Sequence, residues 1–132
     1  MVKLKKCKNI TNKNCFIAEK SKFRGTNVIL NKFQTAHSKI VVMEKSPYGP
    51  EKRNSIIEFW TDEGERGKGH ATSLLNQVMK AYPKKLGGQV SSAKALRILW
   101  GKGWHPYDKK IKTLDDAESE RKKKSSVYMI KG

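Results

Sequence analysis

Between an apolar run and an amphipathic one, this chain places Arg66-Gly67-Lys68-Gly69-His70-Ala71. Upstream, Ile56, Ile57, Phe59 and Trp60 give Asn54–Thr61 the character of a strand, with Ile56, Glu58 and Trp60 on one face and Ile57 and Phe59 on the other. A strand apolar on both faces belongs at the centre of a sheet. Downstream, Ala71, Leu74, Leu75, Val78, Met79 and Tyr82 recur at helical spacing, which predicts a helix over Ala71–Tyr82 that Pro83 ends. A passage from strand through loop into helix leaves the first N–H groups of the helix without intrahelical acceptors, at the positive end of its dipole. Gly67 and Gly69 reach backbone angles that other residues avoid, and with no Cβ they let an anion approach the main chain closely. Arg66 and Lys68 add positive charge. The local expectation is a pyrophosphate cradle.

The rest of the chain supplies the partners such a strand and helix need. Cys15–Ala18, Asn27–Leu30 and the β-branched run Lys39–Glu44 read as strands, and Ser46-Pro47-Tyr48-Gly49-Pro50 as a turn. A short strand is expected around Gly88–Val90, weakened by Gly87 and Gly88. A second helix follows, capped by Ser91 or Ser92, running to about Trp100 and ended by Gly101 and Gly103. Pro106–Lys124 is charged and reads as a loop with a helical piece, and Val127–Ile130 as a terminal strand. One domain over residues 1–132 accounts for all of it, and the length suffices for a core without staples.

Two motifs carry a resemblance. Arg66, Gly69 and Ala71 match, in register, an Arg/Gln-x-x-Gly-x-Gly/Ala signature. Further on, Ser92, Ala95, Ile98, Leu99, Gly103 and Trp104 keep the spacing of Asn-x-x-Ala-x-x-Leu-Tyr-x-x-x-Gly-Phe. On these residues, which span roughly the middle of the chain, the protein resembles the GNAT family of acyl-CoA N-acetyltransferases. The resemblance implies an α+β fold: a mixed, mostly antiparallel central sheet flanked by helices, with two neighbouring strands splaying apart around acetyl-CoA. It implies an enzyme that moves an acetyl group from acetyl-CoA to a primary amine. A protein lysine is the default acceptor, and a nucleic-acid-linked amine (a modified base or aminoacyl-tRNA) is the alternative. A third possibility is a nucleic-acid or protein-binding module that keeps the fold without turnover.

Carried onto this chain, the family pattern gives the grip on the pyrophosphate to the backbone of Arg66, Gly67, Lys68, Gly69, His70 and Ala71, with Thr72 or Ser73 at the helix start. Backbone groups of Trp60, Thr61 and Asp62 would hold the pantetheine arm and polarise the thioester carbonyl. Ser92 stands where the family often has an Asn touching the same arm. Glu58 is the first candidate for the amine's base, because a buried carboxylate on that strand would have a raised pKa suited to proton transfer. Glu58 as the structural partner of a lysine is the competing reading, and Asp62 is the second candidate. Two departures stand out. Leu99 occupies the place of the family's frequent proton-donating Tyr, which leaves Tyr107, Tyr128 or His105 as substitutes. No pair of helices is evident between the first strands, so the N-terminal lid is expected to be reduced.

Charge widens the question of partners. Lys and Arg number 29 against 12 acids, a net charge of +17. That exceeds what a CoA site needs and points to an acidic protein surface or nucleic acid. The acids gather at Glu58, Asp62, Glu63 and Glu65, and again at Asp115, Asp116, Glu118 and Glu120, so a negative pocket within a basic protein would attract a cationic amine. No zinc-finger, RNP or basic-heptad signature is present, and Trp100 and Trp104, four residues apart, read as core rather than as a stacking platform. No run of membrane-spanning length and no signal-peptide core occur, so no membrane partner is expected. Cys7 and Cys15 lack metal-ligand spacing and are expected to be free thiols in a cytoplasmic protein. No metal is expected, and His37 reads as a surface residue.

Overall fold

The computed structural model describes residues 3–132. Eight strands form one sheet: β1 (Lys5–Lys6), β2 (Cys15–Lys22), β3 (Ile29–Gln34), β4 (Ser38–Met43), β5 (Asn54–Thr61), β6 (Leu86–Val90), β7 (His105–Pro106) and β8 (Val127–Lys131). Three helices accompany it: α1 (His70–Ala81), α2 (Ala93–Gly101) and α3 (Leu114–Lys124). The strands lie in the order β1-β2-β3-β4-β5-β6-β8-β7. All neighbours are antiparallel except β1 with β2 and β5 with β6, so the fold is α+β with a mixed sheet. Apart from short 3-10 turns, no helix precedes α1 among the described residues.

The apolar stripe on α1 covers β4, β5 and β3. Leu74, Leu75 and Val78 are fully buried against Ile40, Val42 and Phe33. Burying these side chains contributes on the order of 2 kcal/mol apiece before conformational entropy is subtracted. Leu96 and Leu99 of α2, Trp104 and Met129 extend the same core. Polar ties reinforce it: the Tyr82 hydroxyl, just beyond α1, donates to Glu44 and accepts from the Asn31 amide of β3.

β5 departs from simple alternation. Its pairing with β4 slips between Val41 and Val42, which face Glu58 and Ile56, leaving Ile57 as the extra residue of a bulge. Ser55 and Ile56 are therefore both buried, whereas Ile57 and Glu58 are both exposed. The expected faces, with Ile56 and Glu58 on one side, are broken at that point. β5 then pairs in parallel with β6 only over Asn54–Ile56 and Leu86–Gly88, after which the two strands part. Gly87 and Gly88 lie within β6, which pairs with β8 over Leu86–Val90, and the close packing uses their lack of a side chain. A Cβ on Gly87 would come within 2.5 Å of the Tyr128 hydroxyl, and one on Gly88 within 3.0 Å of the Ile56 carbonyl.

One further expectation is filled in and two change. The charged stretch before β8 holds an 11-residue helix, α3, with Thr113 as its N-cap and Asp115 and Asp116 in its first turn, while Arg121–Lys124 stand at its negative end. Only its Ala117 is fully buried, so it shows almost no apolar stripe. β2 runs on past Ala18 through the exposed residues Glu19–Lys22, held by antiparallel pairing to β3. Cys7 and Cys15 are not free thiols: they form a disulfide, Cα to Cα 5.6 Å. The parallel pairing of β1 with β2 sets Lys5 beside Cys15 and Lys6 beside Phe16, and the Cys7 N–H donates to the Phe16 carbonyl, which brings the two sulfurs together. The free-thiol premise for a cytoplasmic protein is thereby removed. No helix among the described residues is long and apolar enough to cross a membrane.

Candidate functional site

The parting of β5 from β6 creates the site. The Asp62 N–H donates to the His37 carbonyl across the β4–β5 ladder. In an antiparallel ladder alternate residues turn their N–H and C=O to the same edge, so Trp60 also faces β4, opposite Lys39. Phe59 and Thr61 turn theirs to the other edge, where β6 has already left. The backbone groups facing the gap are thus those of Phe59 and Thr61, not the full run Trp60–Asp62. Phe59 escaped the sequence reading, although the ladder's alternation would have selected it once the register was known.

A cleft of about 540 Å³ opens along this edge. The end of β5, the glycine loop, the first turn of α1 and the start of α2 enclose it. Of the sequence-predicted residues, Trp60, Thr61, Arg66, Gly67, Gly69, His70, Ala71, Thr72 and Ser92 line it. Residues on two motifs well separated in the chain therefore meet at one cavity. Asp62 and Lys68 do not line it, and Glu65, expected only as part of an acidic cluster, does, with Lys94, Ala95 and Ile98. Lys94 and Arg66 are exposed cations at its rim.

The glycine loop has the expected local form. Gly67 and Gly69 hold φ of +83° and +84°, and a Cβ on either would meet nothing within 4 Å, so strain in the backbone and not crowding selects glycine there. Gly69 is the N-cap of α1 and has no side chain to cap with. The Ser73 N–H is the first to find an intrahelical partner, the Gly69 carbonyl. The N–H groups of His70, Ala71 and Thr72 precede it, at the positive end of the helix and beside the cleft. Ser92 caps α2: its hydroxyl oxygen accepts from the Ala95 N–H at 3.1 Å, which leaves its O–H free to donate into the cleft.

The charged side chains are engaged differently from the sequence reading. Lys68 is tied to Glu65 at 2.7 Å, and that ammonium holds the Glu65 carboxyl below its ordinary range. Arg66 folds back so that its Nε donates to the Thr61 carbonyl. Glu58 is not buried: it is about half exposed and paired with Lys39 at 2.9 Å. It lines a smaller cavity of about 140 Å³ between the parting strands, with Phe59, Ser92, Leu99 and Trp104. Phe59, Ser92 and Ala95 line both cavities, which makes them neighbours. The Trp104 indole N–H is buried without a protein acceptor among the described residues.

Leu99 is buried in the core. Among its three possible substitutes, Tyr128 lines a cavity of about 220 Å³ that shares Ile56, Ile57 and Gln89 with the smaller one. Its hydroxyl is hydrogen-bonded with Ser55 at 2.9 Å, and burial pushes its pKa upward. Tyr107 packs edge-on against Tyr128, and His105 is exposed. His37 is not a free surface residue. Its ring is half-buried between Asp62 and Glu65 and lies 4.9 Å from the His70 ring.

Compared with known proteins, the chain matches no protein-family model, no curated protein and no solved structure.

Proposed function

We propose that the protein is an acetyl-CoA-dependent N-acetyltransferase of GNAT-like architecture. The observation that carries this reading is the single cleft lined by residues of both motifs, with the glycine loop and the first turn of α1 at one end and the parting strands at the other. In this reading the N–H groups of His70–Thr72 hold the pyrophosphate, with Lys94 and Arg66 adding charge. The outward-facing backbone of Phe59 and Thr61 pairs with the pantetheine amides and polarises the thioester carbonyl. The Trp104 N–H and the Ser92 O–H are donors near the same path. The amine attacks the carbonyl carbon, the C–S bond breaks, and CoA leaves as thiolate or thiol. Glu58, exposed to solvent, accepts the amine's proton once Lys39 is displaced, and of Tyr107, Tyr128 and His105 the Tyr128 hydroxyl, in the cavity that adjoins that of Glu58, is the candidate for protonating the sulfur.

The acceptor in this reading is a lysine on an acidic protein, which the +17 chain attracts. An amine carried by a nucleic acid has the same electrostatic appeal. Two observations favour a second reading, binding of CoA without turnover: Leu99 is a core residue that cannot donate a proton, and Glu58 is tied up by Lys39. Radiolabelled acetyl-CoA incubated with acidic lysine-containing proteins and, separately, with tRNA separates these. Label in protein that falls at least tenfold in Glu58→Gln supports the enzyme with Glu58 as base. Label in tRNA moves the acceptor to nucleic acid, and tight CoA binding with no label in either supports the second reading.

A further inference from the structure

The three histidines of this chain are His37, His70 and His105, and two of them converge on one carboxylate. Glu65 Oε1 lies 3.4 Å from His37 Nε2 and 3.2 Å from His70 Nε2, and the three ligating atoms all fall within 4.8 Å of one another. Ligands held about 2.0–2.1 Å from a tetrahedral zinc ion are separated by roughly 3.3 Å, so two of the three edges already have the length that zinc imposes. We propose that His37, Glu65 and His70 form a zinc site with its fourth position open.

The atoms around these three groups are arranged as outer partners of a metal site. His37 Nδ1 faces Asp62 Oδ2 at 3.3 Å, which places the ring proton on Nδ1 and leaves Nε2 with its lone pair toward Glu65. Asp62 and His37 are joined a second time through the backbone, which fixes the ring's position. Glu65 divides its oxygens: Oε2 takes the Lys68 ammonium, while Oε1 alone faces both imidazoles. Lys68 is well exposed, so its charge is screened and its side chain can swing aside. His70 is only 12% exposed and His37 34%, so the cluster is sheltered without being closed. The set of two imidazoles and one carboxylate suits a zinc ion that keeps an open position.

These ligands come from separate places in the chain: the turn between β3 and β4, the short turn after β5, and the first residue of α1. A bound ion would pin the glycine loop to the β3–β4 turn. Glu65 and His70 also line the cleft, which puts the ion in its wall. Nothing in this inference depends on acetyl-CoA.

The test uses the full chain, stripped of metal with a chelator, under non-reducing conditions that keep Cys7 and Cys15 bonded. Zinc is titrated against a chromophoric chelator, with no coenzyme present. The expected result is one zinc per chain, affinity reduced by about 10–100-fold in Asp62→Asn, a larger loss in His37→Ala and in Glu65→Gln, and no change in His105→Ala. Far-UV circular dichroism establishes that each variant is folded, and cobalt in place of zinc should give the visible absorption of a tetrahedral ion. Absence of stoichiometric zinc, or equal losses in His37→Ala and His105→Ala, would overturn the proposal and leave a hydrogen-bonded cluster only.

Discussion

At the scale of single residues, the firmest polar contacts lie outside the cleft. Tyr82 joins Glu44 and Asn31 across two strands and a helix. Burial works to raise the Glu44 carboxyl, but hydrogen bonds from Tyr82 and Lys20 outweigh it and hold the group below its ordinary value of 4.5. Burial, and then Glu44, push the Tyr82 phenol well above its ordinary 10.0. A carboxyl depressed in the native state contributes stability above its unfolded value and loses it as pH falls through the lower native one. Tyr82→Phe should therefore cost about 1 kcal/mol at neutral pH, and the gap from wild type should narrow below pH 4.5. Urea unfolding of both proteins at the two pH values measures it, and a gap that does not change with pH would remove Glu44 from the account. The glycines show what could be read at this scale. Gly69 was legible because it belongs to a Gly-x-Gly loop placed just before an apolar helical repeat, where its left-handed φ of +84° is open to glycine, whereas Gly87 was not, since its reason lies across the sheet in Tyr128.

At the scale of elements, legibility followed the apolar pattern. α1 was predicted within one residue at each end because its buried side chains repeat at helical spacing, and β4 because β-branched residues dominate it. α3 was harder to see, since it sets only Ala117 and the partly buried Leu114 against the core and has almost no apolar stripe. The bulge in β5 was invisible: Ile57 is as apolar as Ile56, and only the pairing with β4 decides which one is turned to solvent. β1 is two exposed lysines, an element made by its link to β2 and not by propensity. The Cys7–Cys15 disulfide closes that link over a sequence separation of 8. Restricting so short a loop in the unfolded chain is worth at most about 2.5 kcal/mol. Cys7→Ser should lower the melting temperature by several degrees while leaving β2–β8 and the cleft intact, because β1 lies at the sheet's edge. A thiol reagent should find no free thiol in the unreduced wild type. Two titratable thiols there would contradict the linkage.

For the whole molecule, the sheet order, the early parting of β5 from β6 and the glycine loop converge on one cleft, and this convergence was the part of the site that two spaced motifs made legible. What they could not show was the direction of each strand's backbone groups, which turns Phe59 and Thr61 toward the gap between β5 and β6, or the exposure of Glu58. The net charge of +17 acts at this scale too, through attraction to an acidic partner that weakens as salt rises. The central claim is that the cleft binds acetyl-CoA through the loop at Gly67–Thr72. Isothermal titration of nucleic-acid-free protein with acetyl-CoA tests it most directly, using wild type beside Gly69→Trp, whose φ of +84° a tryptophan would strain and whose side chain would reach into the cleft. The account predicts roughly micromolar binding, near −8 kcal/mol, by wild type and none by the folded variant. No binding by wild type, or equal binding by both, would contradict it.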